Sequence, residues 1–183
     1  MVRLARWSTK LKNVWNLSRN GEPNMLHSEP ITCLDQCSGL PVVEFVMHRG
    51  FMLLLDTLVE SGDDGTICEW RVDADGYFVE SELGVPAYVG VEFMAQCVAA
   101  HAGARARIAG LGPPLGFLLG ARHFKTSIIY FEVGELYRAT CRELIRDDSG
   151  MGSYDCRILH EDRCVADARL AVLQKEQGQE LSE

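Results

Sequence analysis

The spacing of apolar residues changes along the chain, and it predicts one long helix followed by strands. From about Pro86 to Ile108, apolar residues recur at the i, i+3, i+4 and i+7 positions that share one face of a helix. Pro86 suits a helix start, and Gly110 lies just past the end. The other faces are poor in charge until Arg105, so we predict that this helix is buried.

Strands are predicted on both sides of this helix. Cys68, Trp70 and Val72 alternate with charged residues, which is the period of a half-buried strand. Four further strands, separated by polar turns, are expected after the helix. They cover residues 116–126, 135–145, 153–160 and 164–174. One buried helix and a run of antiparallel strands predict an α+β domain whose sheet wraps around the helix.

The segment that precedes the first predicted strand is strongly apolar from Val42 to Asp56. We predict a short buried element, a turn at residues 48–50 and the start of a strand. We therefore assign residues 42–175 to the folded domain. Residues 1–41 are expected to form a poorly ordered basic extension and loop, and residues 176–183 a polar tail.

Composition restricts the class of protein. Hydrophobic residues make up 47% and charged residues 24%, which fits a globular domain. The net charge of −8 argues against nucleic acid as a partner, because phosphate binding needs an excess of Lys and Arg. We expect no membrane span, because no run of about 18 uncharged apolar residues occurs.

The seven cysteines are scattered and odd in number, so we expect free thiols and not a disulfide framework. Together with the absence of a secretory signal, this predicts a cytoplasmic location. Cys33 and Cys37 lack a second pair of ligands, so we expect neither a metal nor another cofactor.

The charge is distributed unevenly. Residues 1–21 carry +5 and no acid, which leaves −13 for the remainder. This basic segment could form a helix on a membrane surface, or a disordered extension, or it could precede a true start at Met25. The second and third interpretations are favoured, and whether residues 1–24 belong to the mature protein stays open.

Glu92 and His48 are the residues best suited to chemistry. Glu92 has apolar neighbours and no Lys or Arg within ten residues, and burying an unpaired carboxylate is costly. Gln96 lies on the same helical face and can donate a hydrogen bond to it. The carboxyl of Glu92 then suits a general acid, unless it simply reaches solvent at the helix N-terminus. His48 stands at a turn between two apolar runs, where a histidine can act as a base.

Two motifs carry a resemblance to a known family. Residues 48–56, H-R-G-F-M-L-L-L-D, are similar to the H-R-x-x-x-L-L-x-D segment of 3-hydroxyacyl-[acyl-carrier-protein] dehydratases. Residues 92–96, E-F-M-A-Q, resemble the E-x-M-A-Q at the start of their central helix. Residues 124–125 and 134–135 resemble later positions, and residues 86–92 are similar to the branch found in aryl-polyene and related pigment clusters.

The resemblance implies a hotdog fold, in which an antiparallel sheet wraps a long central helix and two domains pair. It also implies dehydration of 3-hydroxyacyl thioesters on an acyl carrier protein to trans-2-enoyl thioesters, in fatty acid or aryl-polyene biosynthesis. Glu92 matches the family's catalytic carboxylate. The family's catalytic histidine, in a G-H-F-P stretch, has no counterpart in residues 78–84, F-V-E-S-E-L-G. Either His48 replaces it, or the chain has lost full activity.

The same comparison leads to further expectations. The backbone N–H groups near Gly90 would bind the thioester oxygen, and an acidic carrier protein would contact a basic patch. The residues expected to bind substrate are Gly90, Gln96, Phe51 and Met52, with Phe93 and Met94 lining the acyl chain; those expected to contact the carrier are Arg122 and Lys125. Two alternatives stay open: a hotdog thioesterase, and a catalytically weak subunit that pairs, as homodimer or heterodimer, with an active hotdog protein.

Overall fold

The computed structural model describes residues 31–175. Within them lie one α-helix, α1 (Gly90–Ile108), and nine strands. The strands are β1 (Leu40–Pro41), β2 (Thr57–Ser61), β3 (Gly65–Arg71), β4 (Val85–Pro86), β5 (Leu115–Thr126), β6 (Tyr130–Phe131), β7 (Leu136–Arg146), β8 (Met151–His160) and β9 (Arg163–Lys175). The predicted basic segment at residues 1–21 and the predicted tail at 176–183 lie outside the described residues.

Seven of the described strands form one antiparallel sheet in the order β1-β2-β3-β7-β8-β9-β5, while β4 and β6 pair separately. The inner face of the sheet packs against α1. The ring of Phe93 stacks on Trp70 with 4.1 Å between ring centroids, and Phe131 meets both rings edge-on. A buried helix wrapped by an antiparallel sheet is the hotdog architecture, so the predicted fold class is confirmed.

Two elements begin later in the structure than the sequence predicts. Helix α1 begins at Gly90 and not at Pro86, because Pro86 pairs with Tyr130 and the N–H of Ala87 bonds the carbonyl of Ile129. The strand expected soon after Gly50 begins only at Thr57, since residues 42–44 and 50–52 form separate 3-10 turns.

The folded part of the chain begins before the predicted boundary at Val42. Cys37 is fully buried in the core, at the end of the 3-10 turn Leu34–Cys37. Strand β1 pairs Leu40 with Leu58 of β2. Residues 34–41 therefore pack onto the domain, and they do so because β2 would otherwise be an open edge.

A buried polar chain crosses the core near the C-terminal half of α1. The hydroxyl of Thr66 lies 3.0 Å from Nδ1 of His101 and 2.8 Å from the hydroxyl of Ser61. His101 is fully buried and packs in mid-helix. Burial lowers the pKa of His101 to about 4, and the cation of Arg105 acts in the same direction. His123 is exposed beside a bulge of β5.

The neutral state of His101 makes the stability of the domain depend on pH. An unfolded histidine titrates near a pKa of about 6.5, and the folded value is about 4. The unfolded chain therefore binds a proton that the folded chain excludes. We expect the free energy of unfolding to fall as the pH drops from 6.5 toward 4, with a full loss on the order of 3 kcal/mol. Urea unfolding across this pH range measures the slope. His101→Asn should flatten it, and the surface control His160→Asn should not.

Candidate active site

The segment that carries His48 packs against α1, and the N-terminal end of this segment is held there by Gly103 and Arg107. Gly103 allows the approach, because a Cβ atom at this position would clash with the carbonyl oxygen of Phe45. Arg107 lies over the ring of Phe45, 5.5 Å from its centroid, and pairs with Glu44 at 2.6 Å. The chain then runs from Phe45 toward the start of α1, where His48 lies.

Gln96 holds the other end of this segment. Its side chain is fully buried, and its amide makes three hydrogen bonds. Oε1 accepts from the backbone N–H of Leu54 at 2.9 Å, while Nε2 donates to the carbonyl of Met52 at 2.7 Å and to Oε1 of Glu92 at 2.9 Å. The predicted contact between Gln96 and Glu92 is therefore present, and the same amide also binds the backbone of the motif segment.

These contacts bring His48 and Glu92 together within one chain. Nε2 of His48 lies 3.6 Å from Oε1 of Glu92, and each side chain is 32% exposed. Glu92 is thus neither fully buried nor free in solvent, since it takes a hydrogen bond from Gln96 and keeps one open side. A neutral imidazole can accept a proton and a carboxyl group can donate one, so the pair can perform acid–base chemistry on a molecule that enters between them.

The residues expected to bind substrate divide into two groups. Phe51 is 64% exposed near this pair, and its ring contacts that of Tyr77 with 4.7 Å between centroids. Met52 and Gln96 are instead engaged with each other, through the Met52 carbonyl and the Gln96 amide. The bond between Gln96 and the backbone of Met52 is a structural role that the sequence did not indicate.

Gly90, Phe93 and Met94 face the sheet. A Cβ atom at Gly90 would lie 3.2 Å from side-chain atoms of Phe131 and Ile158, so the glycine is explained by core packing. Its N–H donates to the carbonyls of Ala87 and Tyr88 and is not free for a ligand. Phe93 and Met94 are buried in the core of the protomer as well, and their contact with an acyl chain stays a prediction. An apolar residue on a helix buried all round gives no signal of which side it faces.

Arg122 and Lys125 lie away from this pair in the protomer. In β5 they pair with Arg169 and Asp167 of β9, which alternate with buried residues of that strand. Side chains paired across an antiparallel sheet lie on the same face. The two cations therefore project from the face of the sheet opposite to α1. The structure does not bring them to His48 and Glu92.

Three residues near the pair were missed by the sequence reasoning. Arg49 donates hydrogen bonds to the carbonyls of Val46 and His48, which both precede it, and Tyr77 and Tyr88 are exposed aromatic residues at the surface. Tyr88 lies in the 3-10 turn just before α1. The only available signal for Arg49 was its position after His48.

A buried helix wrapped by an antiparallel sheet is the hotdog fold, and the imidazole and the carboxyl beside the start of this helix can perform acid–base chemistry. The family model described as ApeP-like, ApeP dehydratase, matches residues 40–183. The chain therefore belongs to the ApeP-like dehydratase family, which confirms the resemblance to the aryl-polyene branch. A search of curated proteins gives no match. Within residues 31–175, no helix is long and apolar enough to cross a membrane.

Solved structures agree with this assignment. The dehydratase heterocomplex ApeI:P from Xenorhabdus doucetiae is 25% identical with a TM-score of 0.70, and the match covers 75% of this chain and 93% of that one. A hypothetical thioesterase with coenzyme A from Streptococcus pneumoniae is 9% identical with a TM-score of 0.52, over 67% and 87% of the two chains. An uncharacterized protein from Pyrococcus horikoshii is 14% identical with a TM-score of 0.53, over 75% and 96%. The last two likenesses show the fold alone.

Proposed function

We propose that His48 and Glu92 of one chain dehydrate a 3-hydroxyacyl thioester carried by an acyl carrier protein. The observation that supports the proposal is the separation of 3.6 Å between Nε2 of His48 and Oε1 of Glu92. This distance slightly exceeds a direct hydrogen bond, so both groups remain available to a substrate. No residue of the missing G-H-F-P stretch is needed if His48 is the base.

The reaction uses the two groups in opposite roles. Neutral His48 takes the proton from C2, the C2–C3 double bond forms, and the C3–O bond breaks. Protonated Glu92 gives its proton to the departing hydroxyl, which leaves as water. Because Oε1 already accepts the hydrogen bond from Gln96, Oε2 is the oxygen that carries this proton. The imidazolium and the carboxylate that result are neighbours, and a proton passed between them restores the starting state.

The test is turnover of a 3-hydroxyacyl-carrier-protein thioester, followed by mass spectrometry of the acyl group. We expect His48→Asn and Glu92→Gln each to lower kcat by about 100-fold or more, because each removes one proton-transfer group. The matched controls are His160→Asn and Glu135→Gln, which alter a His–Glu pair of 3.0 Å where β7 begins and β8 ends. Full turnover by either site variant would contradict the proposal. Release of free thiol without an enoyl product would identify a thioesterase.

We further propose that a second hotdog subunit pairs with β5. This strand is at an open edge of the sheet, and eleven of its twelve residues are exposed. Leu115, Phe117, Leu118 and Leu119 are exposed apolar residues within it. The unpaired N–H and C=O groups of a long apolar edge strand can form hydrogen bonds with a strand of another chain, so we expect such a strand to pair.

The ApeI:P structure is a heterocomplex, so its name supports a different hotdog protein as the partner over a second copy of this chain. Arg122 and Lys125 also lie on β5. In such a pair they would stand at the junction of the subunits, and they remain our proposed contacts for an acidic carrier protein.

The mass of the assembly tests this pairing. We expect Leu118→Arg to convert the dimer, or the complex with a co-expressed hotdog partner, into monomers in analytical ultracentrifugation, because a charge is placed in the junction. Leu83→Arg changes an exposed apolar residue in the 3-10 turn Ser81–Leu83 and should leave the assembly intact. Unchanged mass for Leu118→Arg would rule out pairing through β5. If activity needs the partner and survives His48→Asn in this chain, the chain is the weak subunit of the complex.

A further inference from the structure

We propose that Arg49 is a positioning residue that fixes His48, an inference that rests on the proposed acid–base pair. One nitrogen of its guanidinium, Nη1, donates to the carbonyl of Val46 at 2.6 Å and to the carbonyl of His48 at 2.7 Å. Hydrogen bonds from a charged donor are stronger than neutral ones. Arg49 thereby closes the short span of backbone that carries the imidazole.

The side chain of Val46 is buried in the core, so the span is anchored at its start and depends on hydrogen bonds beyond that point. Among residues 31–175, no further hydrogen bond reaches the carbonyls of Val46 and His48. Nδ1 of His48 is buried and, in the same part of the chain, has no hydrogen-bond partner. The ring is therefore not anchored through its own nitrogen, as a histidine base commonly is. Its orientation depends on the backbone.

The two ends of the segment are fixed by other residues. Phe45 is held by the close approach of Gly103 and by Arg107. Met52 and Leu54 are held by the amide of Gln96. Between these anchors the side chain of Val46 is buried, and the carbonyl of Arg49 accepts from the N–H of Met52. The bonds from the Arg49 guanidinium therefore act on the short stretch around His48.

The guanidinium of Arg49 forms no ion pair in the described part of the chain. No carboxylate of residues 31–175 forms an ion pair with it, although it is exposed next to the half-buried pair of His48 and Glu92. An exposed arginine ordinarily gains little from holding one conformation. Here, two carbonyls of the same short turn accept hydrogen bonds from one guanidinium nitrogen. These bonds hold the side chain in one conformation and account for an arginine at this position.

Kinetic constants of three variants test the role. We expect Arg49→Gln to lower kcat by about 10- to 100-fold with KM changed by less than about threefold, because a base displaced by about 1 Å loses rate and not binding. Arg49→Lys should recover part of kcat, since an ammonium can reach a carbonyl. The matched control is Arg71→Gln, which removes another exposed arginine whose guanidinium donates to a backbone carbonyl, that of Gly134. It should leave both constants unchanged.

A spectroscopic readout separates this inference from the proposed function. The imidazole resonances of His48, assigned with His48→Asn, should move in Arg49→Gln and stay in place in Arg71→Gln, whether or not the protein turns over. Resonances that do not move, or an unchanged kcat, would overturn the positioning role. A loss confined to KM would also overturn it, because Arg49 would then bind the substrate. If His48→Asn is fully active while the resonances move, the proposed function fails and the positioning of the ring stands.

Discussion

The buried amide of Gln96 is the contact on which the arrangement of the site depends. It joins α1 to the backbone of Met52 and Leu54 and to the carboxyl of Glu92. Without it, a buried N–H and a buried C=O would lose their partners, and each such loss costs about 1–3 kcal/mol. The helix, the motif segment and the acid are therefore one unit, and none of the three can move without breaking a hydrogen bond.

This unit explains how a chain without the G-H-F-P histidine still has an imidazole beside the carboxylate of Glu92. The stretch where that histidine would stand contains the 3-10 turn Ser81–Leu83. The imidazole comes instead from the segment that Gly103 and Gln96 hold against α1. Both groups belong to one protomer. The second subunit proposed on β5 is then needed to cover an open edge and to meet the carrier, and not to supply the base.

Local patterns predicted the fold well, because the period of apolar residues is a property of each element alone. The spacing along residues 86–108 indicated the buried helix, and strands β5, β7, β8 and β9 lie within two residues of the predicted bounds. The contact between Glu92 and Gln96 was also predictable, since one helical turn separates them. The start of α1 was not, because the pairing of Pro86 with Tyr130 is a long-range contact. The roles of Gly90 and Arg49 depend on what their atoms touch in three dimensions, which the spacing does not show.

The role of Gln96 is tested most directly by the kcat of Gln96→Met, measured together with the free energy of unfolding of this variant. Methionine keeps the size of the side chain and removes all three hydrogen bonds. We expect the folded variant to lose about 2–4 kcal/mol of stability and at least about tenfold in kcat, with KM little changed. A folded Gln96→Met protein with the kcat of the wild type would show that Gln96 does not organise His48 and Glu92, and it would contradict the account.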